Sequence, residues 1–238
     1  GLDFTSDGER MISSDNEGSF RIWRASDGAE VGGFASEHGA LSPLFGPDDR
    51  LVVTGSHKGP AVVFDTTTGE KTTVFEGHER SSWPLQFCPD GSAWTGGDDN
   101  TARLWDTATG EAKQVVRGRE GAEFWIVASR DCTLGASMEI GGPVWVWDLA
   151  TGRRLGRFGG DTAYQRMTEF SRDNRRLAVG GSDGSLAVYD VADGSLVQQL
   201  DGHDGNVTTI DFSPDGDTLV SGGSDKMVRM WDLESGSQ

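Results

Sequence analysis

The sequence predicts an all-β fold assembled from six copies of one four-stranded antiparallel unit. An aromatic residue ends a short apolar run every 41 or 42 residues, and Asp follows it in five of six cases. These aromatic positions are Trp23, Phe64, Trp105, Trp147, Tyr189 and Trp231. A repeat of this length is typical of a unit with four strands, which cannot bury both faces of its sheet alone. Neighbouring units must therefore cover each other.

The last repeat shows the predicted strands most clearly. Short runs rich in β-branched and aromatic residues occupy 207–212, 218–223 and 227–232, a pattern that favours strands over helices. Ser-Pro-Asp-Gly at 213–216 predicts the first hairpin turn, because Pro fixes φ and Gly accepts a positive φ. Residues 224–226 form the predicted second turn.

The fourth strand of each unit is predicted from the earlier repeats. A Thr-Gly or Asp-Gly pair marks a third turn, and a strand such as 196–200 follows it. Extended along the chain, this pattern predicts 23 strands, from an innermost strand at residues 2–4 to a third strand that ends at Trp231. The last outer strand is missing, so we expect one domain over 1–238 that is a segment of a longer protein.

Several motifs at fixed offsets resemble those of the WD-repeat β-propeller family. They are Gly77-His78, Gly202-His203, the Ser-Pro-Asp-Gly turn at 213–216 and the Trp-Asp pairs that end third strands. The resemblance covers essentially the whole chain. It implies a β-propeller of four-stranded antiparallel blades arranged radially, with six or seven blades in the parent ring. The sequence leaves these two counts open.

The resemblance also implies a structural hydrogen-bond network of His, Ser or Thr, Asp and Trp inside a blade. Two repeats hold the complete set, His78, Thr95, Asp99 and Trp105 in the third and His203, Ser221, Asp225 and Trp231 in the sixth. The set recurs with the repeat and has no nucleophile elbow, which favours a structural role over a hydrolase triad. The other four repeats depart from the pattern, so we expect their blades to depend more on apolar packing.

In this family, partners commonly contact the loop before the innermost strand and the second-hairpin turn. The residues that the resemblance places there are His57, Ser81, Trp83, Asp98, Phe124, Tyr164, Arg166, Ser182, Asn206, Thr208 and Ser224. Trp83, Phe124 and Tyr164 fall on three consecutive blades, where they either anchor a partner or fill gaps between blades. Asp98 is the candidate partner of a basic side chain.

Composition excludes some classes of function. The net charge of −17 repels nucleic-acid phosphates and attracts basic partners. No apolar run reaches the roughly 20 residues of a membrane span. Cys88 and Cys132 lack the spacing of a zinc or redox site, which predicts two reduced thiols and a cytoplasmic protein. No metal or cofactor site is expected, because the acidic clusters at 15–17 and 98–100 lack calcium-loop spacing.

These observations favour a non-catalytic scaffold that binds a protein or peptide, and the acidic charge favours a basic one. We expect a sensor or adaptor module of a larger multidomain protein, with the other domains of that chain among its partners. The alternatives are a propeller that binds a small ligand or carbohydrate and a propeller enzyme with chemistry in its channel. The predicted inner strands offer few acidic or metal-binding side chains for such chemistry.

Overall fold

The structure is a computed structural model that describes residues 1–15, 17–36, 41–118, 124–139, 142–159 and 165–238. Within these ranges the regular secondary structure is 23 strands, and no helix occurs. All strand pairs within the sheets are antiparallel and sequential, as in the blades of a WD-type β-propeller. The predicted fold class is confirmed. The chain divides into two compact units, residues 1–120 and 121–238.

The first unit contains three four-stranded sheets, each formed by consecutive strands. Its strands are β1 (Leu2–Phe4), β2 (Arg10–Ser14), β3 (Ser19–Arg24), β4 (Glu30–Ala35), β5 (Leu41–Phe45), β6 (Leu51–Gly55), β7 (Ala61–Asp65), β8 (Lys71–Phe75), β9 (Ser82–Phe87), β10 (Ala93–Gly97), β11 (Thr101–Trp105) and β12 (Ala112–Arg117). Strand β5 contacts β1 on one side and β9 on the other. The first strands of the three sheets therefore lie side by side.

The second unit contains two four-stranded sheets and one three-stranded sheet. Its strands are β13 (Phe124–Ala128), β14 (Leu134–Glu139), β15 (Val144–Asp148), β16 (Arg153–Phe158), β17 (Gln165–Phe170), β18 (Arg176–Gly181), β19 (Leu186–Asp190), β20 (Leu196–Leu200), β21 (Val207–Phe212), β22 (Thr218–Gly223) and β23 (Val228–Asp232). Strand β17 contacts both β13 and β21. The first strands again lie next to one another.

The strand bounds follow the sequence pattern closely. Strands β20, β21 and β22 coincide with the predicted strands at 196–200, 207–212 and 218–223. Strand β23 begins at Val228, one residue later than predicted. The N–H of Gly223 donates to the carbonyl of Met227 at 3.1 Å, so Met227 closes the second turn and does not begin the strand.

The first hairpin turn of the last sheet has the conformation that its residues predict. The N–H of Gly216 donates to the carbonyl of Ser213 at 2.9 Å, and Gly216 has a φ of 79°. The Ser213 hydroxyl also donates to Asp215 at 2.6 Å. A residue with a Cβ would be strained at such a φ, which explains the glycine. The equivalent position before β14 is Cys132, with a φ of 59°.

The core of the first unit lies between neighbouring sheets. Phe34, from the outer strand of the first sheet, stacks on Phe64 of the second sheet with ring centroids 4.5 Å apart. Phe75, from the outer strand of the second sheet, stacks on Trp105 of the third at 5.1 Å. Each outer strand thus covers the aromatic residue that ends the third strand of the next sheet.

The second unit repeats this arrangement. Phe158 of β16 meets Tyr189 of β19 edge to face, with centroids 6.0 Å apart. Leu200 of β20 and Trp231 of β23 belong to one buried cluster, with exposed fractions of 1% and 2%. The expectation that blades shield each other's apolar faces is therefore met within each unit.

Candidate functional site

A buried hydrogen-bond network lies inside the third sheet. The Thr95 hydroxyl oxygen is 2.8 Å from His78 Nε2 and accepts a bond from Trp105 Nε1–H at 2.7 Å. His78 Nδ1 is 3.1 Å from both oxygens of Asp99. Because the indole can only donate, the Thr95 hydroxyl donates to Nε2, and we assign the imidazole proton to Nδ1. Thr101 donates to Asp99 at 2.6 Å and completes the set.

The sixth repeat contains the same network. His203 Nε2 lies 2.8 Å from the Ser221 hydroxyl, which accepts from Trp231 Nε1–H at 2.8 Å. His203 Nδ1 is 3.0 Å from Asp225 Oδ2. The guanidinium of Arg229 lies 3.3 Å from the same carboxylate oxygen. The structure thus joins all four predicted members in both repeats.

In the third sheet the surroundings of His78 favour a neutral imidazole facing a carboxylate. Burial lowers the pKa of His78, against the opposing influence of Asp99. Burial acts to raise the pKa of Asp225, but hydrogen bonds from the N–H of Met227 and from His203 lower it to about 2. The Asp225 carboxyl is therefore ionised at neutral pH.

Two other repeats, whose networks were not predicted from the sequence, keep only the bond between the hydroxyl and the indole. Trp23 Nε1–H donates to the Ser13 hydroxyl at 2.8 Å, and Trp147 Nε1–H donates to Ser137 at 2.7 Å. The spacing of ten residues between hydroxyl and indole is the same as between Thr95 and Trp105. That spacing was the available signal.

Three of the predicted partner-binding residues meet in the first unit. The Ser81 hydroxyl donates to the carbonyl of His57 at 2.9 Å. The N–H of Asp98 donates to the carbonyl of Ser81 at 3.1 Å. Ser56 and Ser82 exchange backbone hydrogen bonds beside them, at 2.8 and 2.9 Å. The second-hairpin turn of one sheet is therefore fixed to the loop before the first strand of the next. The side chains of His57 and Asp98 are exposed.

Trp83 lies beside this group on β9. It is partly buried, and its indole covers Gly96, where a Cβ would lie 2.7 Å from Trp83 Nε1. Gly96 is therefore required for the indole to lie flat on β10. Trp83 packs against its own sheet and is partly exposed, and its role as a partner anchor stays a prediction.

The second unit arranges its predicted residues in the same way. The N–H of Ser224 donates to the carbonyl of Asn206 at 2.8 Å, as the N–H of Asp98 does to that of Ser81. Thr208 is exposed, and its hydroxyl donates to the carbonyl of Gly222 at 3.1 Å. Ser182, at the preceding second-hairpin turn, is partly buried. These four side chains are neutral and polar.

The side-chain positions of three predicted partner-binding residues lie outside the described part of the structure. Tyr164 lies outside the described residues. Phe124 and Arg166 belong to β13 and β17 by their backbones, but their side chains also lie outside the described part of the structure. The proposed row of three aromatic anchors therefore stays a prediction.

Comparison with known families identifies the repeat. The family model described as WD domain, G-beta repeat, matches residues 69–106 and 194–232. These two segments are WD repeats. A search of the curated proteins found no match.

The two matched segments are the WD repeats that hold complete networks. Residues 69–106 include His78 to Trp105, and 194–232 include His203 to Trp231. The four repeats outside the match lack at least one member at the expected position. The family signal therefore coincides with the buried polar network.

The described part of this WD-repeat chain shows neither of two other kinds of site. It contains no group of three or more His, Cys, Asp or Glu residues placed to hold a metal ion. None of its residues forms a helix with the length and apolar character needed to cross a bilayer. The acidic turn residue Asp15 instead accepts hydrogen bonds from the N–H groups of Glu17 and Ser19, both at 2.9 Å.

The prediction of two reduced thiols is wrong. Neither cysteine is free, and both Cys88 and Cys132 are disulfide-bonded. The spacing of cysteines along a chain does not determine whether they form disulfides, because a disulfide depends on distances in the folded structure.

Proposed function

We propose that this WD-repeat protein is a non-catalytic scaffold that binds a protein or peptide segment. WD repeats generally act as protein-interaction scaffolds. The proposed binding face is formed by the loops before the first strands and by the second-hairpin turns. The main support is a backbone hydrogen bond that joins the loop to the turn in each unit. The bond runs from Asp98 to Ser81 in the first unit and from Ser224 to Asn206 in the second.

The part of this face in the first unit suits a segment with a basic side chain. Asp98 is exposed, and the hydrogen bond from its N–H to Ser81 fixes its backbone, from which the carboxylate extends. Trp83 offers a partly accessible indole one strand residue away from Ser82. A Lys or Arg side chain can pair with a carboxylate and pack its stem on an aromatic ring. The chain's charge of −17 favours the approach of such partners.

The part of the face in the second unit suits a polar backbone or neutral side chain. Ser224 and Thr208 are exposed hydroxyl residues, and Asn206, two residues before Thr208, is partly buried. Hydroxyl and amide groups provide donors and acceptors without a net charge. Charge selection is therefore proposed for the first unit alone.

The proposal of a non-catalytic role is supported by the state of the buried histidines. The imidazoles of His78 and His203 are each fixed on both sides, by Asp and by Thr or Ser. The Thr95 and Ser221 hydroxyls are 0% exposed and also accept from an indole. A buried hydroxyl with two internal partners is poorly placed to attack a substrate.

A role as a sensor or adaptor module of a larger protein remains a prediction of the sequence, as does a cytoplasmic location. The thiol argument for that location no longer applies, because both cysteines are disulfide-bonded.

A peptide-display selection tests the proposed function directly. Random peptides of about 12 residues are selected on the chain, and the affinity of the recovered peptides is measured by fluorescence anisotropy. We expect enrichment of Lys or Arg and a loss of at least about tenfold in affinity for Asp98→Lys, because the charge of the contact is reversed. Trp83→Ala should also weaken binding.

Glu111→Lys is the matched control. Glu111 is exposed at the third turn of the same sheet, and its replacement changes the net charge by the same amount. It should leave the affinity within about twofold. Equal losses for both charge reversals would show that binding is a general response to net charge, which contradicts a defined face.

A further inference from the structure

A small charged cavity opens at the other end of the first strands in the second unit. Its volume is about 170 Å³. Its lining residues are Arg130, Glu169, Phe170, Arg172, Asp211, Phe212, Ser213 and Pro214. They come from the ends of β17 and β21 and from the first hairpin turns of three consecutive sheets. The proposed binding face begins at Asn206, so the cavity lies at the opposite end of β21.

Two of the first hairpin turns around this cavity are joined to each other. The guanidinium of Arg176 donates to the carbonyl of Gly216 at 2.9 Å, which links the turns before β18 and β22. These two turns are therefore held by a contact that does not involve the cavity's own charged groups.

The cavity is lined by two carboxyl groups and two guanidinium groups. Glu169 is partly buried, Asp211 is exposed, and both Arg130 and Arg172 are exposed. Within the described part of the chain, none of these four side chains forms a hydrogen bond or an ion pair within 4 Å. Arg130 and Arg172 stand at the turn position that Pro214 occupies in the last sheet. The other turns of this unit thus replace a proline with a cation.

We propose that this cavity binds a small zwitterion, the ammonium and carboxylate head group of an amino acid. The ammonium would lie between Glu169 and Asp211, and the carboxylate would pair with Arg172 and Arg130. Charge-assisted hydrogen bonds of this kind are about twice as strong as neutral ones, and guanidinium matches carboxylate geometry. The apolar rings of Phe170 and Phe212 form the buried wall behind them.

The size of the cavity agrees with such a ligand. A volume of 170 Å³ equals that of about five or six water molecules in the liquid. Glycine, with five heavy atoms, is therefore an appropriate probe. Larger drug-like molecules need about 300 Å³ or more.

The Glu169 carboxyl also makes the site sensitive to pH. Burial raises the pKa of Glu169 to about 7, the charge of Asp211 adds to this effect, and Arg130 opposes it. Arg172 is the remaining charged group on the cavity wall. An ammonium group favours ionised Glu169, so glycine affinity should rise between about pH 6 and pH 8.

Ligand-observed NMR titration of the whole chain tests the proposal, with glycine, methylammonium and acetate as probes. Glycine should bind at least about tenfold more tightly than either half-ligand, since only glycine uses both charge pairs. Glu169→Gln and Arg172→Ala should each lower the affinity for glycine by about tenfold. Glu169→Gln should also abolish the pH dependence of that affinity. Arg175→Ala, which removes an exposed cation outside the cavity, should leave affinity within about twofold.

Three results would overturn the zwitterion site. If methylammonium bound with the same affinity as glycine, the cavity would be a cation site. If acetate bound with the same affinity as glycine, it would be an anion site. Undetectable binding of glycine at about 50 mM, far weaker than a millimolar site requires, would remove it altogether. Strand-type circular dichroism of each variant separates loss of binding from loss of folding.

Discussion

At the scale of single residues, the two histidine networks place polar groups where water cannot reach them. His78 and Thr95 are buried, yet each ring nitrogen and the hydroxyl have partners within 3.1 Å. A buried polar group costs little only while all of its hydrogen bonds are made. The network therefore favours one arrangement of loop, second strand and third strand, and penalises every other.

The variant Thr95→Val should lower the free energy of unfolding by about 2–4 kcal/mol. Valine has nearly the same shape, but it leaves His78 Nε2 and Trp105 Nε1–H without partners in a buried site. Urea unfolding followed by tryptophan fluorescence gives the measurement.

The matched control is Thr54→Val, at the equivalent position of the second sheet. Thr54 makes one side-chain bond, to the carbonyl of Val62 at 3.2 Å, and its neighbour at the aromatic position is Phe64. The expected loss is below about 1 kcal/mol. Equal losses at both positions would show that the histidine network adds nothing to stability.

The charged cavity supplies a prediction about pH. The pKa of Glu169 is raised from 4.5 to about 7 in the folded chain, mainly by burial. The folded state therefore favours the protonated acid, and stability is lost as pH rises from about 4.5 through 7. Glu169→Gln should remove this slope and raise the free energy of unfolding at pH 8 by about 2 kcal/mol.

Urea unfolding at pH 5, 6, 7 and 8 provides the test. Glu234→Gln, which alters an exposed side chain of the same unit, serves as the control. An unchanged pH slope in Glu169→Gln would mean that this carboxyl is not the group responsible.

Residue-level prediction from sequence succeeded where spacing carried the information. The network of the third repeat has four members at offsets that recur in the sixth repeat, namely His78, Thr95, Asp99 and Trp105. The structure brings the members of each set into contact. Glu169 was not predicted, because its environment depends on Asp211 and Arg130 from other sheets. No local pattern reports a contact between residues about 40 positions apart.

At the scale of strands and sheets, stability lies in the contacts between neighbouring blades. Phe34 of β4 stacks on Phe20 of its own sheet at 4.9 Å and on Phe64 of the next at 4.5 Å. In the described residues of the second repeat no histidine network is formed, and the Phe34–Phe64 stack corresponds to the Phe75–Trp105 stack of the third sheet. The expectation that divergent repeats depend more on apolar packing stays a prediction.

The variant Phe34→Ala should lower the free energy of unfolding by about 2–4 kcal/mol. The substitution removes two ring stacks and opens a void between the first and second sheets. Thermal and urea unfolding would both report it. Val31→Ala on the same strand is the control, since Val31 is 44% exposed and should cost less than about 0.5 kcal/mol. Similar losses of unfolding free energy for both variants would contradict a contact between the two sheets that depends on Phe34.

Strand positions were predictable because turn chemistry is local. Ser213 to Gly216 determine one turn through a proline, a side-chain bond and a positive φ, and the flanking strands follow from their alternation. The start of β23 was misplaced by one residue, since the bond from Gly223 to Met227 extends the second turn. Lys226 takes the left-handed conformation in that turn, with a φ of 66°, although it is not glycine.

At the scale of the whole molecule, the repeat explains the fold and the divergence between repeats permits the function. Sheets that share one plan carry different residues at equivalent loop positions, Asp98 in one unit and Ser224 in the other. A scaffold can in this way present a distinct set of groups at each blade. The net charge of −17 adds a general preference for basic partners.

The most direct measurement is hydrogen–deuterium exchange of the whole chain, with and without a basic peptide selected by display. The proposed face predicts slower exchange in segments that contain Ser81 to Trp83, Asp98, Asn206 to Thr208 and Ser224. Protection confined to the first hairpin turns, such as 213–216, or to outer strands such as β12 and β20 would contradict the proposed binding face.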